Sequence, residues 1–219
     1  MQATNLSVFE NIFENKEISM KHIALLGEKN SGKTELLKQI IASFLNSNKK
    51  VMLLHPQETF RSLTDSLNGV YVNVEEQLNA TLLKDSRLVS INTKLLDFSR
   101  LLNLLQEDNS QWVVVQDNLD ELVYNYEQNE FATQKIDFLH YLSEFGRVFG
   151  VYTLIAGQEL KKITAITPSL QMILNSRNLM LLKQSHTSLK LLQKMKWLTD
   201  SQCAQVQQLT KYKAVLVQR

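Results

Sequence analysis

The feature that most constrains this chain is an eight-residue stretch near its amino end, Gly27-Glu28-Lys29-Asn30-Ser31-Gly32-Lys33-Thr34. Its two glycines let the backbone curl tightly enough for successive N–H groups to point into one hollow. An apolar run, Lys21–Leu26, precedes the stretch, and an amphipathic one follows it. A buried strand, a glycine turn and the positive end of a helix dipole together make a receptacle for a polyphosphate. In this reading Lys33 places its charge between the β- and γ-phosphates of ATP, and the Thr34 hydroxyl ligates Mg2+. All eight residues from Gly27 to Thr34 are candidate nucleotide contacts.

Beyond the loop, segments of two periodicities alternate. Gly32–Leu45 has apolar residues at Leu36, Leu37, Ile40, Ile41, Phe44 and Leu45, a helical spacing. Lys50–Leu54 reads as a strand stopped by His55-Pro56. Gly69–Val74 and Leu88–Ile91 are further strand segments, and Thr93–Leu105 a helix. Trp112–Val115, aromatic and β-branched throughout, is a buried strand. The order then runs helix Gln134–Phe145, strand Val151–Ala156, helix Pro168–Leu174, strand Asn178–Leu182, helix Thr187–Met195 and strand Lys213–Val217. This alternation predicts an α/β fold with a mostly parallel central sheet, helices on both faces, and ligands at the carboxyl ends of the strands.

The chain's 219 residues suffice for one well-buried core, and no Pro/Gly/Ser-rich stretch divides them. A single domain is expected over 21–219, with 1–20 as a lead-in segment packing on its core. The net charge of +2 is close to neutral, and the basic groups Lys49-Lys50, Lys161-Lys162, Lys194 with Lys196 and Lys211 with Lys213 are scattered. They read as solvated surface rather than a track along a nucleic-acid backbone, which weighs against nucleic acid as a partner. Cys203 is alone, and His22, His55, His140 and His186 lie far apart, so neither a disulfide framework nor a zinc site is indicated. No apolar run reaches the ~18 residues of a membrane span, and no signal peptide is visible, so the domain is expected to be soluble.

ATP hydrolysis in such a fold needs an acid at the end of a neighbouring strand to hold Mg2+, often followed by a carboxylate that activates water. In Trp112-Val113-Val114-Val115-Gln116-Asp117-Asn118, Asp117 takes the metal-side position and Asn118 stands where the base is needed. An amide orients water but does not accept its proton in this pH range. In a second register Gln116 takes the metal position and Asp117 that of the base. One carboxylate is missing either way. Asp120 and Glu121 read as helix-start acids, Glu121 doubling as a fallback base. Further along, Gln158 closes the strand Val151–Ala156 where an amide can report a γ-phosphate or its water. Arg147 and Arg177 are candidates for a charge donated to a neighbouring subunit's nucleotide.

The combination of GEKNSGKT, VVVQDNLDEL, LSEFGRVFGVYTLIAGQEL and LNSRNLMLL resembles the FtsK/SpoIIIE-type translocase ATPases. Arg147, Gly150, Ala156 and Gln158 match the family's block of arginine, glycine, apolar strand and A-T-Q. The resemblance implies a RecA/FtsK-like P-loop NTPase fold. Within that superfamily the sequence is similar to the terminal ATPase module of the type VII secretion coupling ATPases, the EssC/EccC group. That likeness implies a membrane-anchored parent with tandem ATPase domains at the cytoplasmic face of the cell membrane. It also implies hexamers and recruitment of small helical-hairpin WxG-type proteins. Departures from the family are Asn118 for its glutamate, Ala156-Gly157-Gln158 for A-T-Q, and Glu159-Leu160 for the arginine-proline that follows.

These readings lead to an ATP-binding module of a secretion motor, hydrolysing weakly or not at all in isolation. The alternative is an FtsK-like DNA-translocating or packaging ATPase. A P-loop small-molecule kinase would need an arginine-rich lid and an acceptor-binding acid, and neither is evident.

Overall fold

Strict alternation of apolar side chains sorts the strands onto two cores. Ile23, Leu25, Val51, Leu53, Val113, Val115, Leu154 and Ala156 face one side, while Ala24, Leu26, Met52, Leu54, Trp112, Val114 and Ile155 face the other. A computed structural model describes residues 22–55, 60–73, 78–93, 96–158, 160–176, 178–211 and 213–218. The expected lead-in 1–20 and the candidate Arg177 lie outside the described residues.

The strands are β1 (Ile23–Leu26), β2 (Lys50–His55), β3 (Val70–Val72), β4 (Leu88–Asn92), β5 (Trp112–Gln116), β6 (Val151–Gly157), β7 (Asn178–Leu181) and β8 (Val215–Gln218). They form one sheet in the order β3-β4-β2-β5-β6-β1-β7-β8. Every pairing is parallel except β7 with β8. The eight strand segments expected from the sequence are all present, and the sheet is mostly parallel as anticipated.

Helices α1 (Lys33–Asn46) and α2 (Arg61–Ser66) lie on one side of the sheet. The opposite face carries α3 (Ala80–Asp85), α4 (Phe98–Glu107), α5 (Leu119–Tyr124), α6 (Glu130–Phe145), α7 (Leu160–Ile163), α8 (Thr167–Asn175), α9 (His186–Lys194) and α10 (Asp200–Gln207). Leu36, Leu37, Ile40, Ile41 and Phe44 of α1 are all buried, at the spacing read from the sequence. Burying each such side chain contributes about 1.5–3 kcal/mol.

Two helix starts differ from expectation by four or more residues, each for a capping reason. The helix foreseen from Thr93 begins at Phe98, because the Asp97 carboxylate accepts the Ser99 and Arg100 N–H groups at 2.8 and 3.2 Å. That foreseen from Gln134 begins at Glu130, where Asn129 accepts the Phe131 N–H at 2.9 Å. Helices α2, α3, α7 and α10 were not anticipated, and α5 only through its helix-start acids Asp120 and Glu121; none exceeds eight residues, too short for periodicity to register.

Strand β6 runs between β1 and β5. The phosphate loop and the acidic strand are therefore next-but-one neighbours, and one strand separates Gly27 from Asp117. Among the described residues no helix is long and apolar enough to cross a membrane.

Candidate functional site

The loop that leaves β1 is built around backbone turns that few side chains tolerate. Asn30 and Gly32 take left-handed conformations, with φ of 65° and 94°. Gly27 admits no side chain, since a Cβ there would lie 2.5 Å from Ser31 Oγ and 3.0 Å from Leu182 Cβ. Its N–H donates to the Gly157 carbonyl at 3.2 Å, and the Glu28 N–H to the Lys183 carbonyl at 3.0 Å, tying the loop to the ends of β6 and β7. Helix α1 then starts at Gly32 with no side chain capping it. Its first N–H groups are left to an incoming acceptor, and the helix dipole favours an anion there.

Above this helix start is a cleft of ≈ 370 Å³ whose walls include Glu28, Lys29, Asn30, Gly32, Lys33 and Thr34. Asn118, Gln158, Glu35 and Lys211 complete the walls. Eight of these ten residues were singled out as site candidates from sequence; Glu35 and Lys211 were not. Gly27 and Ser31 lie beneath the loop, with Ser31 buried.

Lys33 and Asp117 are both buried, and the Lys33 Nζ donates to Asp117 Oδ1 at 3.1 Å. The same oxygen accepts the Asn118 N–H at 2.8 Å. The alternation of β5 decides between the two registers geometrically. Val113 and Val115 face α1, so Asp117 does too, whereas Gln116 turns to the other core and donates to the Asp117 carbonyl. Asn118 follows in a left-handed conformation, φ 55°, exposed at the start of α5. The structure thus brings Asp117 and Asn118, not Gln116, to Lys33.

Gln158 is held at the cleft by a group that the sequence reading treated only as a helix-start acid. Asp120 does lie in the first turn of α5, and its Oδ1 also accepts the Gln158 N–H at 3.0 Å. At the neighbouring departure, Gly157 for threonine, a Cβ would lie 2.3 Å from Ile163 Cδ1 of α7, so that flexible chain end would have to turn aside. Lys211 was missed as well. It belonged to a basic pair read as surface, and nothing local marks it. Strand β8 is antiparallel to β7, so the turn before β8 falls at the same edge as the loop.

Arg147 is elsewhere. It is exposed in the 3-10 turn Gly146–Phe149 at the amino end of β6, lining a separate cleft of ≈ 630 Å³ with Phe145, Leu174 and Ser176. It cannot serve the loop of its own chain.

The donor set suits Mg2+, which takes hard oxygen ligands from one or two carboxylates together with substrate phosphates. Thr34 offers a hydroxyl in the cleft wall, and Asp117 a carboxylate just behind it, against Lys33. Among the described residues no group of three or more His, Cys, Asp or Glu gathers into a metal cage.

Comparison with known proteins agrees with this fold. VirB4 of Thermoanaerobacter pseudethanolicus is similar in structure, with a TM-score of 0.71 at 12% identity, over 90% of this chain and 86% of that one. B204, the DNA-packaging ATPase from Sulfolobus turreted icosahedral virus, superposes with a TM-score of 0.65 at 15% identity, over 91% and 92% of the two chains. The genome packaging NTPase B204 from Sulfolobus turreted icosahedral virus 2 in complex with AMP gives 0.60 at 14% identity, over 90% and 91%. At such identities these likenesses speak for the fold. No curated protein matches the chain in sequence. Residues 11–215 match the family described as helicase HerA, central domain. The chain belongs to that family, within the HerA/FtsK-like P-loop ATPases.

Proposed function

We propose that this domain binds ATP with Mg2+ at residues 27–34 and serves as the nucleotide-dependent module of a motor, turning over slowly or not at all by itself. The observation that carries the reading is a complete phosphate loop, with Lys33 held by Asp117, beside Asn118 in place of a base. On binding, phosphate oxygens take over the Lys33 ammonium and the free N–H groups of α1. Thr34 and Asp117 hold Mg2+, whose charge offsets that of the polyphosphate. Asn118 and Gln158 orient water by hydrogen bonds without removing its proton.

Arg147 completes a neighbour's cleft in an oligomer, a hexamer by the sequence resemblance, since it projects at the edge opposite its own loop. Arg177 is assigned the same role from its place in the sequence. Residues 21–219 act as one unit, with 1–20 as a lead-in against it. The finer placement, the terminal module of a type VII secretion ATPase at the cytoplasmic face of the membrane that recruits WxG-type proteins, is supported by the sequence motifs alone.

A second reading, nucleic-acid translocation or packaging, draws on the similarity to B204, a genome packaging NTPase by its description. Calorimetric titration with ATP and Mg2+ tests the shared core. Wild type binds, Lys33→Ala does not while still unfolding cooperatively, and retained binding in that variant removes the site. Turnover that DNA stimulates, and that falls steeply with salt, would favour the second reading over the first.

A further inference from the structure

The cleft has two ends. Asn118 and Gln158 come from the tips of β5 and β6, on one side of the loop strand β1. Lys211 comes from the other side, where the sheet continues through β7 to β8. Its position follows from topology. Because β8 runs against β7, with Val215 opposite Leu181, the chain enters β8 at the carboxyl edge of the sheet. The turn between α10 and β8 is thereby set over the start of α1, and Lys211 in that turn joins Lys29 and Lys33 in the wall of one hollow. The acids in the same wall are Glu28 and Glu35; Glu28 is 4.0 Å from Lys183, outside the cleft.

We infer that Lys211 is a nucleotide-holding residue, donating from its ammonium to the phosphates that ATP and ADP share rather than to the terminal one. The inference rests on the proposed ATP site, and it follows from direction. With the terminal phosphate toward Asn118 and Gln158, the remainder of the nucleotide extends along α1 toward β7 and β8, where Lys211 stands. A lysine at this end strengthens both the substrate and the product complex. It opposes release after turnover instead of assisting the reaction. A charge-assisted hydrogen bond from an exposed lysine is worth about a tenfold change in affinity.

Calorimetric titration of the same protein with Mg2+·ATP and with Mg2+·ADP distinguishes the outcomes. Lys211→Ala is expected to raise the Kd of both nucleotides by the same factor, about tenfold, and Lys211→Arg to restore most of the loss. The rise in unfolding midpoint produced by saturating ADP shrinks as the affinity weakens. A purely structural role would lower the midpoint without nucleotide, leave the rise produced by ADP unchanged and give no rescue by arginine, which would overturn the inference. So would unchanged affinities, or a loss confined to ATP, which would put Lys211 at the terminal phosphate. A wild-type protein that binds neither nucleotide defeats the underlying site and this inference with it. Wild-type binding that Lys33→Ala abolishes and Lys211→Ala leaves intact defeats the inference alone.

Discussion

Lys33 and Asp117 hold each other, so neither charge is buried without compensation. In the proposed site, the residue next to them decides what becomes of a bound nucleotide. Asn118 sits at φ 55°, a conformation asparagine tolerates and most other side chains resist. Its amide therefore suits the local backbone while denying the cleft a base. Asn118→Glu should raise steady-state turnover about a hundredfold or more if the rest of the machinery is in place. The same change should lower the unfolding free energy by about 1–2 kcal/mol, because glutamate pays the left-handed penalty. Paired ATPase assays and chemical denaturation check both signs. A faster enzyme of unchanged stability would contradict the backbone argument, and an equally slow one would show that more than a base is missing.

At the scale of elements, α6 carries a feature with no part in the phosphate site. Lys135, on its inner face, is fully buried and donates to Thr93 Oγ1 at 3.1 Å. Burial pushes its pKa from 10.5 to about 7. His55 at the end of β2, paired with Ser90 Oγ at 2.9 Å, is lowered to about 4 by burial and, second, by the Lys135 charge. Between pH 7 and 10.5 the unfolded chain binds a proton at Lys135 that the folded chain does not. Stability therefore rises with pH through that window, and the penalty is complete below pH 7. His55 adds a further loss as pH falls from 6.5 toward 4. Denaturation of wild type and Lys135→Met at pH 7, 8 and 9 should show a rising wild-type midpoint and a flatter variant. Equal slopes would mean that Lys135 is solvated.

Elements were legible where burial writes a period into the sequence. All eight strands and α1, α4, α6, α8 and α9 had readable patterns, because each turns one or two continuous apolar faces to a core. Helix α5 had none, being six residues long with only Leu119 and Val123 buried. The site was legible for a parallel reason. The loop's chemistry is contiguous from Gly27 to Thr34, and Asp117 ends a strand whose alternation fixes its direction. Lys211 and the Asp120 contact to Gln158 depend on strand order and on the antiparallel β8, which leave no trace in local spacing.

For the whole molecule, the placement of charge is polar in the geometric sense. The loop, Lys33, Asp117, Asn118 and Gln158 occupy the carboxyl edge of the sheet, and Arg147 the amino edge. Arg147→Ala should leave nucleotide affinity of the isolated domain unchanged and lower turnover only in the assembled oligomer. Titration of the monomer and rate measurements across protein concentration check this. A weakened monomer affinity would mean that Arg147 acts within its own chain. Strand β6 joins the two edges, with Gln158 following one end and Gly150 preceding the other. Its seven residues are buried throughout and span about 23 Å. A rod clamped on both flanks by β1 and β5 does not flex by itself, since packed interiors compress little and pass strain along. In a head-to-tail ring it would behave as a pushrod, so that a displacement at one triphosphate's tip would reappear at the corner serving the next. Communication around the ring would then be set by the stiffness of a single strand rather than by the wandering of loops.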